Sequence, residues 1–419
     1  MIYCVRDGKE HCVKTEFFMG VIQEPQFPDR EISADNYGSI QQAVDACASA
    51  GGGTVIVDEG QWESGPIRMH SNICLYFKRG AIVKFSTRRS DYLPAVFTRW
   101  EGMECYNYSP LIYADNCENI AICGEGKLYG NGEAWWEWKK LQEAGSNDLY
   151  NAAAAGLPVE QRVFGTEEAA LRPSFLQLIN CRQVLIEGIT LIDGPQWTIH
   201  PVYCQDVVIR HVQVNTTGPN TDGLNPDSCK NMVIEDSNFC TGDDCIAINS
   251  GLNEDGWRVG KSCENIEIRR CRMTGGHGGV VVGSAISGGV RNVYAHDCDI
   301  SGTMQGLRMK SMRGRGGVVE NVRFENIRVD EVSNEALQIN MFYEFSTVMP
   351  KTKVPSVFRN ISFTNVQGSG ARVGIMLKGL PEQKLEDIML QNIELTAQEA
   401  MISSDVSGLV MERVVLREQ

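Results

Sequence analysis

From about residue 119 to the end of the chain, one short pattern keeps returning. A polar residue leads two or three alternating apolar residues, then comes a break at Asn, Asp or Gly and a further apolar position. It reads NIAICGEG (119–126), QVLIEGITL (183–191), DVVIRHVQV (206–214), NMVIEDSNF (231–239), NIEIRRCRM (265–273), NVYAHDCDI (292–300) and NVRFENIRV (321–329). NISFTNVQG (360–368), DIMLQNIEL (387–395) and GLVMERVVL (408–416) complete the series. Such alternation, rich in Val and Ile, marks a strand with one buried face, and the break marks a bend between two short strands. Most intervals run 21 to 29 residues, with longer ones of 34 (231 to 265), 39 (321 to 360) and 64 (119 to 183). One unit of this kind cannot bury its apolar side alone, so its neighbours in a stack must supply the core. The pattern predicts an all-β chain: a single-stranded right-handed parallel β-helix, with loops inserted where the interval lengthens. Leucine-rich repeats, a propeller and a TIM barrel each require periodicities that are absent.

One convincing helix stands out, over 37–50 (YGSIQQAVDACASA), with apolar Ile40, Ala43, Val44 and Cys47 at helical spacing and GGG at 51–53 to stop it. It is expected to cap the N-terminal end of the coil, where an open sheet edge would otherwise pair with other chains. The domain reading is therefore an unassigned N-terminal extension over 1–34 and a β-helix domain over 35–419.

Composition narrows the partners. A net charge of −14 speaks against nucleic acid, which selects a basic footprint, and no 18-residue apolar run suggests a membrane span. An anionic substrate would need a local basic patch. The first twenty residues carry charges throughout and no apolar h-region. The fifteen cysteines form no CxxC pair, and Cys271 and Cys298 stand where other repeats have Ile327 and Val366. These thiols read as small buried hydrophobes. The expectation is a reduced, cytoplasmic protein with no cofactor and no metal; a chain relieved of its leader is the alternative.

Measuring from the first apolar residue of each repeat turns the sequence into a map. Asp222 lies 15 residues after Val207; Asp243 and Asp244 lie 11 and 12 after Met232; His277 lies 11 after Ile266; Arg308 lies 15 after Val293, with Lys310 two further on. Consecutive coils thus place three carboxylates, an imidazole and two cations at nearly one angular position. Stacked strands are about 4.7–4.9 Å apart, so a cluster is predicted. On a regular strand one of Asp243 and Asp244 would face the core, so a bend at Gly242 is expected to turn both outward.

The motifs Asn220-Thr221-Asp222, Gly242-Asp243-Asp244, Gly276-His277-Gly278 and Arg308-Met309-Lys310 resemble the signature of the polygalacturonase family, glycoside hydrolase family 28. The segments at 98–113, 130–139, 197–204 and 253–265 resemble its bacterial exo-acting branch. Met309 departs from the usual Ile, and the family's usual opening before the cap helix is missing. The resemblance implies an inverting hydrolase of α-1,4-galacturonosidic bonds in oligo- or polygalacturonate. It also implies Asp243 as general acid, Asp222 and Asp244 as holders of the attacking water, and His277 as a partner of the acid. Arg308 and Lys310 share a strand face and form the cationic patch for a galacturonate carboxylate. Asn220 and Tyr343 are further candidates for substrate binding. Trp135, Trp136, Trp138, Arg99 and His200 either line outer subsites or are structural. Rhamnogalacturonan or xylogalacturonan as substrate, a Ca²⁺-dependent lyase-like β-helix enzyme and a non-catalytic carbohydrate-binding coil remain open, and oligomeric state is not legible.

Overall fold

The computed structural model describes residues 2–3, 22–343, 351–352 and 354–419; most of the opening segment at 1–20 lies outside them. The chain winds into a right-handed parallel β-helix with three parallel sheets. The first sheet runs from Gly53–Val57 and Ile73–Phe77 through Glu118–Gly124, Arg182–Glu187, Gln205–Arg210, Lys230–Glu235 and Cys263–Arg269. The second stacks Gly60–Ser64, Ala81–Phe85, Lys127–Tyr129, Thr190–Ile192, Gln213–Asn215, Asn238–Cys240 and Arg272–Thr274. The third carries Ile112–Asp115, Leu176–Ile179, Ile199–Val202, Ile246–Ile248, Gly278–Val282, Gln305–Lys310 and Glu335–Asn340. From Val290–Ser301 onward single long strands serve the first two sheets without a break. One apolar cluster runs through the coil from Ala34 to Leu416.

The corners explain the recurring Asn. Asn231, Asn265, Asn292, Asn321 and Asn360 sit at φ of 54–60°, in the left-handed region, which Asn tolerates better than branched residues do. Their amides stack from turn to turn: Asn265 donates to Asn231 at 3.0 Å, Asn292 to Asn265 at 3.0 Å and Asn321 to Asn292 at 3.0 Å. A second ladder, at the bend between the first two sheets, links Asp297, Asn326, Asn365 and Asn392 at 2.8–3.0 Å. Inside the coil, the residue entering the first sheet is a buried Cys on five successive turns, Cys117, Cys181, Cys204, Cys229 and Cys263. The thirteen cysteines among the described residues are free.

The cap helix spans Ile40–Ser49, with the Ser39 hydroxyl accepting from the Gln42 amide, and it buries Ile40, Ala43, Val44 and Cys47. Before it, Glu31–Ser33 pairs in parallel with Gly53–Val57. Ile22 and Phe27 pack on Cys74, Ala121, Leu185 and Val208 on the outer face of the first sheet, so the described part of 1–34 is bound to the coil. Helices beyond the single expected one occur in insertions, at Glu143–Ala154 and Asn253–Val259. Together with the antiparallel hairpin Val96–Trp100/Met103–Asn107 they form a wall packed around Trp100, Met103, Cys105, Leu149, Ala153 and Leu171. Buried ion pairs Arg162–Asp255 (2.7 Å) and Arg99–Asp227 (3.0 Å) fix it, the second to the third sheet. Among the described residues no helix is long and apolar enough to cross a membrane.

The asparagine ladder generates a stability prediction. Asn321→Ala removes its bond to Asn292 and the one from Asn360, and forces Ala into φ 58°. It should cost about 2–3 kcal/mol in denaturant unfolding. Asn321→Gly, which relieves the backbone alone, should recover part of that; equal stability of all three chains would remove the ladder from the stability argument.

Candidate active site

The site is assembled by register in the third sheet. Ile199, Leu224, Ile246, Val280 and Leu307 pair in succession. Asp222 lies two residues before Leu224, Asp244 two before Ile246 and Gly278 two before Val280; one position earlier stand Thr221, Asp243 and His277. The chain is bent at 242–243 and re-enters a strand at Ile246, so both carboxylates of the pair turn toward Asp222. One oxygen of each of the three lies within 4.8 Å of the others. Two glycines make this possible. Gly276 has φ 65°, and a Cβ there would lie 1.9 Å from the Asp243 carbonyl; a Cβ on Gly278 would press to 3.0 Å from Asp244 Oδ1.

Each carboxylate faces a donor. His277 Nδ1 lies 2.8 Å from Asp243 Oδ1, and Asn220 Nδ2 donates to the other oxygen at 3.4 Å. Lys310 Nζ donates to Asp244 Oδ2 at 2.8 Å, with an Arg308 guanidinium nitrogen 3.8 Å from Oδ1. Asn225 Nδ2 donates to Asp222 Oδ2 at 2.8 Å. Three clustered acids would suit a hard cation, but an ammonium, an imidazole and an amide already occupy this set. Arg308 and Lys310 share Gln305–Lys310, and the ring of Tyr343 lies 5.6 Å and 5.2 Å from their charges. The eight residues expected from the sequence to act on or bind the substrate come together in one cluster.

Burial pushes the Asp222 carboxyl well above the ordinary Asp range, and repulsion from Asp243 and Asp244 adds to it. Burial also opposes the charge on Asp243, but the His277 hydrogen bond and charge, with Lys310, outweigh it and hold Asp243 below that range. In return Asp243 raises His277. Burial works against the Lys310 ammonium, yet Asp244 wins and its pKa rises. The three acids are thus driven apart: Asp222 is pushed toward its neutral form, while Asp243 and His277 each favour the other's charged form.

The expectation for outer subsites fails for four residues. Trp135, Trp138, Arg99 and His200 are buried: the tryptophans pack on Tyr108 and each other, and Arg99 and His200 close on Asp227. Trp136, half-buried, hydrogen bonds the Gly194 carbonyl at 3.0 Å. Other residues escaped the sequence reading. Gln338 pairs with Arg308 in register and accepts from its Nε at 3.0 Å, so one more turn of the map would have found it. Buried Arg172 donates to Asn220 Oδ1 at 2.8 Å and turns its amide nitrogen toward Asp243; it lies in an insertion with no period to reveal it.

The family model for glycosyl hydrolases family 28 matches residues 161–408. Among solved structures, the hyperthermoactive exopolygalacturonase of Thermotoga maritima superposes with a TM-score of 0.91 at 38% identity, covering 94% of either chain. A probable polygalacturonase of Vitis vinifera is 27% identical over 82% of this chain and 67% of its own length. The endo-polygalacturonase of Pectobacterium carotovorum subsp. carotovorum is 26% identical over 90% and 89%.

The raised pKa of Asp222 has a thermodynamic consequence. A carboxyl whose pKa is raised by folding costs stability above its ordinary value near 4, because only the unfolded chain can release the proton freely. Asp222→Asn should therefore stabilise the fold at pH 7. The gain should vanish below about pH 4. Melting scans at both values check this; a lower Tm than wild type at pH 7 would contradict it.

Proposed function

The chain belongs to glycosyl hydrolases family 28, and on that premise we propose that it hydrolyses α-1,4-galacturonosidic bonds of oligogalacturonide from a chain end, with inversion. The observation that carries this reading is the meeting of three carboxylates with Arg308 and Lys310 in one cluster. The cations supply, in a protein of net charge −14, the local positive field that a uronate ring needs. The wall of insertions at the N-terminal side of the trough supports exo action.

Asp243 is the general acid. Its side chain is the most exposed of the three, at 14% against 3% for Asp244, and His277 backs it. A sugar seated above the pair expels water and disfavours separated charges, which moves the shared proton from imidazolium Nδ1 to carboxylate Oδ1. From there it passes to the glycosidic oxygen as the bond to the anomeric carbon breaks. Asp222 and Asp244 hold the attacking water. Inverting pairs usually stand about 6.5–9.5 Å apart, whereas these oxygens lie within 4.8 Å. A water taking two hydrogen bonds of about 2.8 Å spans such a gap. Asp244, ion-paired to Lys310, accepts the water's proton, and Asp222 orients the oxygen.

Digestion of a galacturonate ladder labelled at the reducing end tests this. Expected are single galacturonate units from the first time point, an inverted anomer by NMR, no unsaturated product absorbing in the ultraviolet and no effect of a chelator. Asp243→Asn should fold and lose about 10²–10⁴-fold in kcat. An unsaturated product or abolition by chelator would replace hydrolysis with lyase chemistry.

A further inference from the structure

The wall carries a polar tip that the mechanism leaves unused. Its hairpin turns at Glu101 and Gly102, with φ of 43° and 87°. A glutamate in the left-handed region is strained, and such strain collects at working sites. The turn is clamped on both sides. Trp100 Nε1 donates to the Arg172 carbonyl at 3.1 Å, and the Leu252 amide donates to the Gly102 carbonyl at 3.0 Å. Both clamps flank the catalytic trough, because Arg172 is also the residue that orients Asn220.

Glu101 Oε1 accepts from Gln196 Nε2 at 2.8 Å. Gln196, 3% exposed, stands three residues before Ile199, as Asp243 stands three before Ile246, and Ile199 is two rungs from Ile246. Two rungs amount to roughly 10 Å, which leaves space for one pyranose ring between Asp243 and the Glu101 carboxyl. Burial pushes that carboxyl above the ordinary Glu range, against the pull of Lys139 and Arg172 and with a further push from Asp243.

We propose that Glu101, held by Gln196 on the clamped hairpin tip, is the end stop of the trough: it hydrogen bonds the hydroxyl groups of the terminal galacturonate and so fixes release at one unit. The inference rests on the exo reading above. A longer chain pushed past this point would drive its next carboxylate against Glu101, unpaired and desolvated, which is a strong form of rejection.

Initial product distributions, KM and kcat of the full chain on tri- to hexagalacturonate test it, for wild type, Glu101→Ala and Glu101→Gln. Wild type should release single units only. Glu101→Ala should release dimers alongside them and raise KM on the trimer about tenfold or more, with the loss falling on KM more than on kcat. Glu101→Gln, which keeps hydrogen-bonding capacity, should recover most of the wild-type pattern; should the alanine variant fail to fold, Glu101→Asp, one methylene shorter, stands in and should raise KM on the trimer. Single-unit release with unchanged KM in a folded Glu101→Ala, or in Glu101→Asp where the alanine variant does not fold, overturns the end stop while leaving exo action intact. Mixed oligomers from wild type at the first time point overturn the exo reading and the end stop together.

Discussion

Every charge in this site is placed by one constraint, the hydrogen-bonded register of parallel strands in the third sheet. Pairing Leu224 with Ile246 and Ile246 with Val280 leaves no freedom in where Asp222, Asp244 and Gly278 fall. Neighbouring rungs are about 4.8 Å apart, so acids two residues upstream of each pairing point must meet. The left-handed asparagine corners protect that register. A slip by one residue would take Asn292 or Asn321 out of its ladder and turn an entire apolar face to water.

Concentrating three carboxylates is costly, and the donors show how the cost is divided. Asp244 is neutralised by Lys310, and Asp243 by His277. Among the described residues Asp222 has only the Asn225 amide as a direct donor, and burial with repulsion from its neighbours pushes its carboxyl up. Buried ion pairs stabilise little in net terms, since desolvation offsets most of the attraction. Their worth here is positional. Lys310 cannot leave Asp244 without stranding a buried charge, which costs about 3–5 kcal/mol, and Arg308 is similarly held by Gln338. The cations are thereby set in place before any sugar arrives, and less ordering remains to oppose binding.

The periodic part of the molecule was legible in the sequence because period and register are the same information. The repeat at 183–416 announced the coil, and counting from each repeat's first apolar residue brought Asp222, Asp243, Asp244, His277, Arg308 and Lys310 to one side. Even the cap helix was readable, since Ile40, Ala43, Val44 and Cys47 are the residues it buries. What failed lies in the insertions. The helix Glu143–Ala154 has a weakly apolar face of Gly145, Leu149 and Ala153, too faint to announce itself. Trp135 and Trp138 suggested a sugar platform, yet burial under Tyr92 and Tyr108 makes them core. An aromatic residue in a loop says nothing about which way it faces until the loop has something to pack on.

That division has a mechanical meaning. The coil can supply only a trough open at both ends, because its repeat has no means of ending a groove. Closing one end requires a non-periodic element, and such an element must be rigid to be selective. The wall meets that demand with interior charge: Arg162 joins its loop to Asp255, and Arg99 reaches from the hairpin to Asp227 on the third sheet. Asp227 lies one turn before Asn249 and pairs with it, on the same strands that carry the catalytic acids. The hairpin tip is thus referenced to the reacting carboxylates through one buried ion pair and a few hydrogen bonds, so a wall anchored this way can measure a single sugar unit from the point of cleavage.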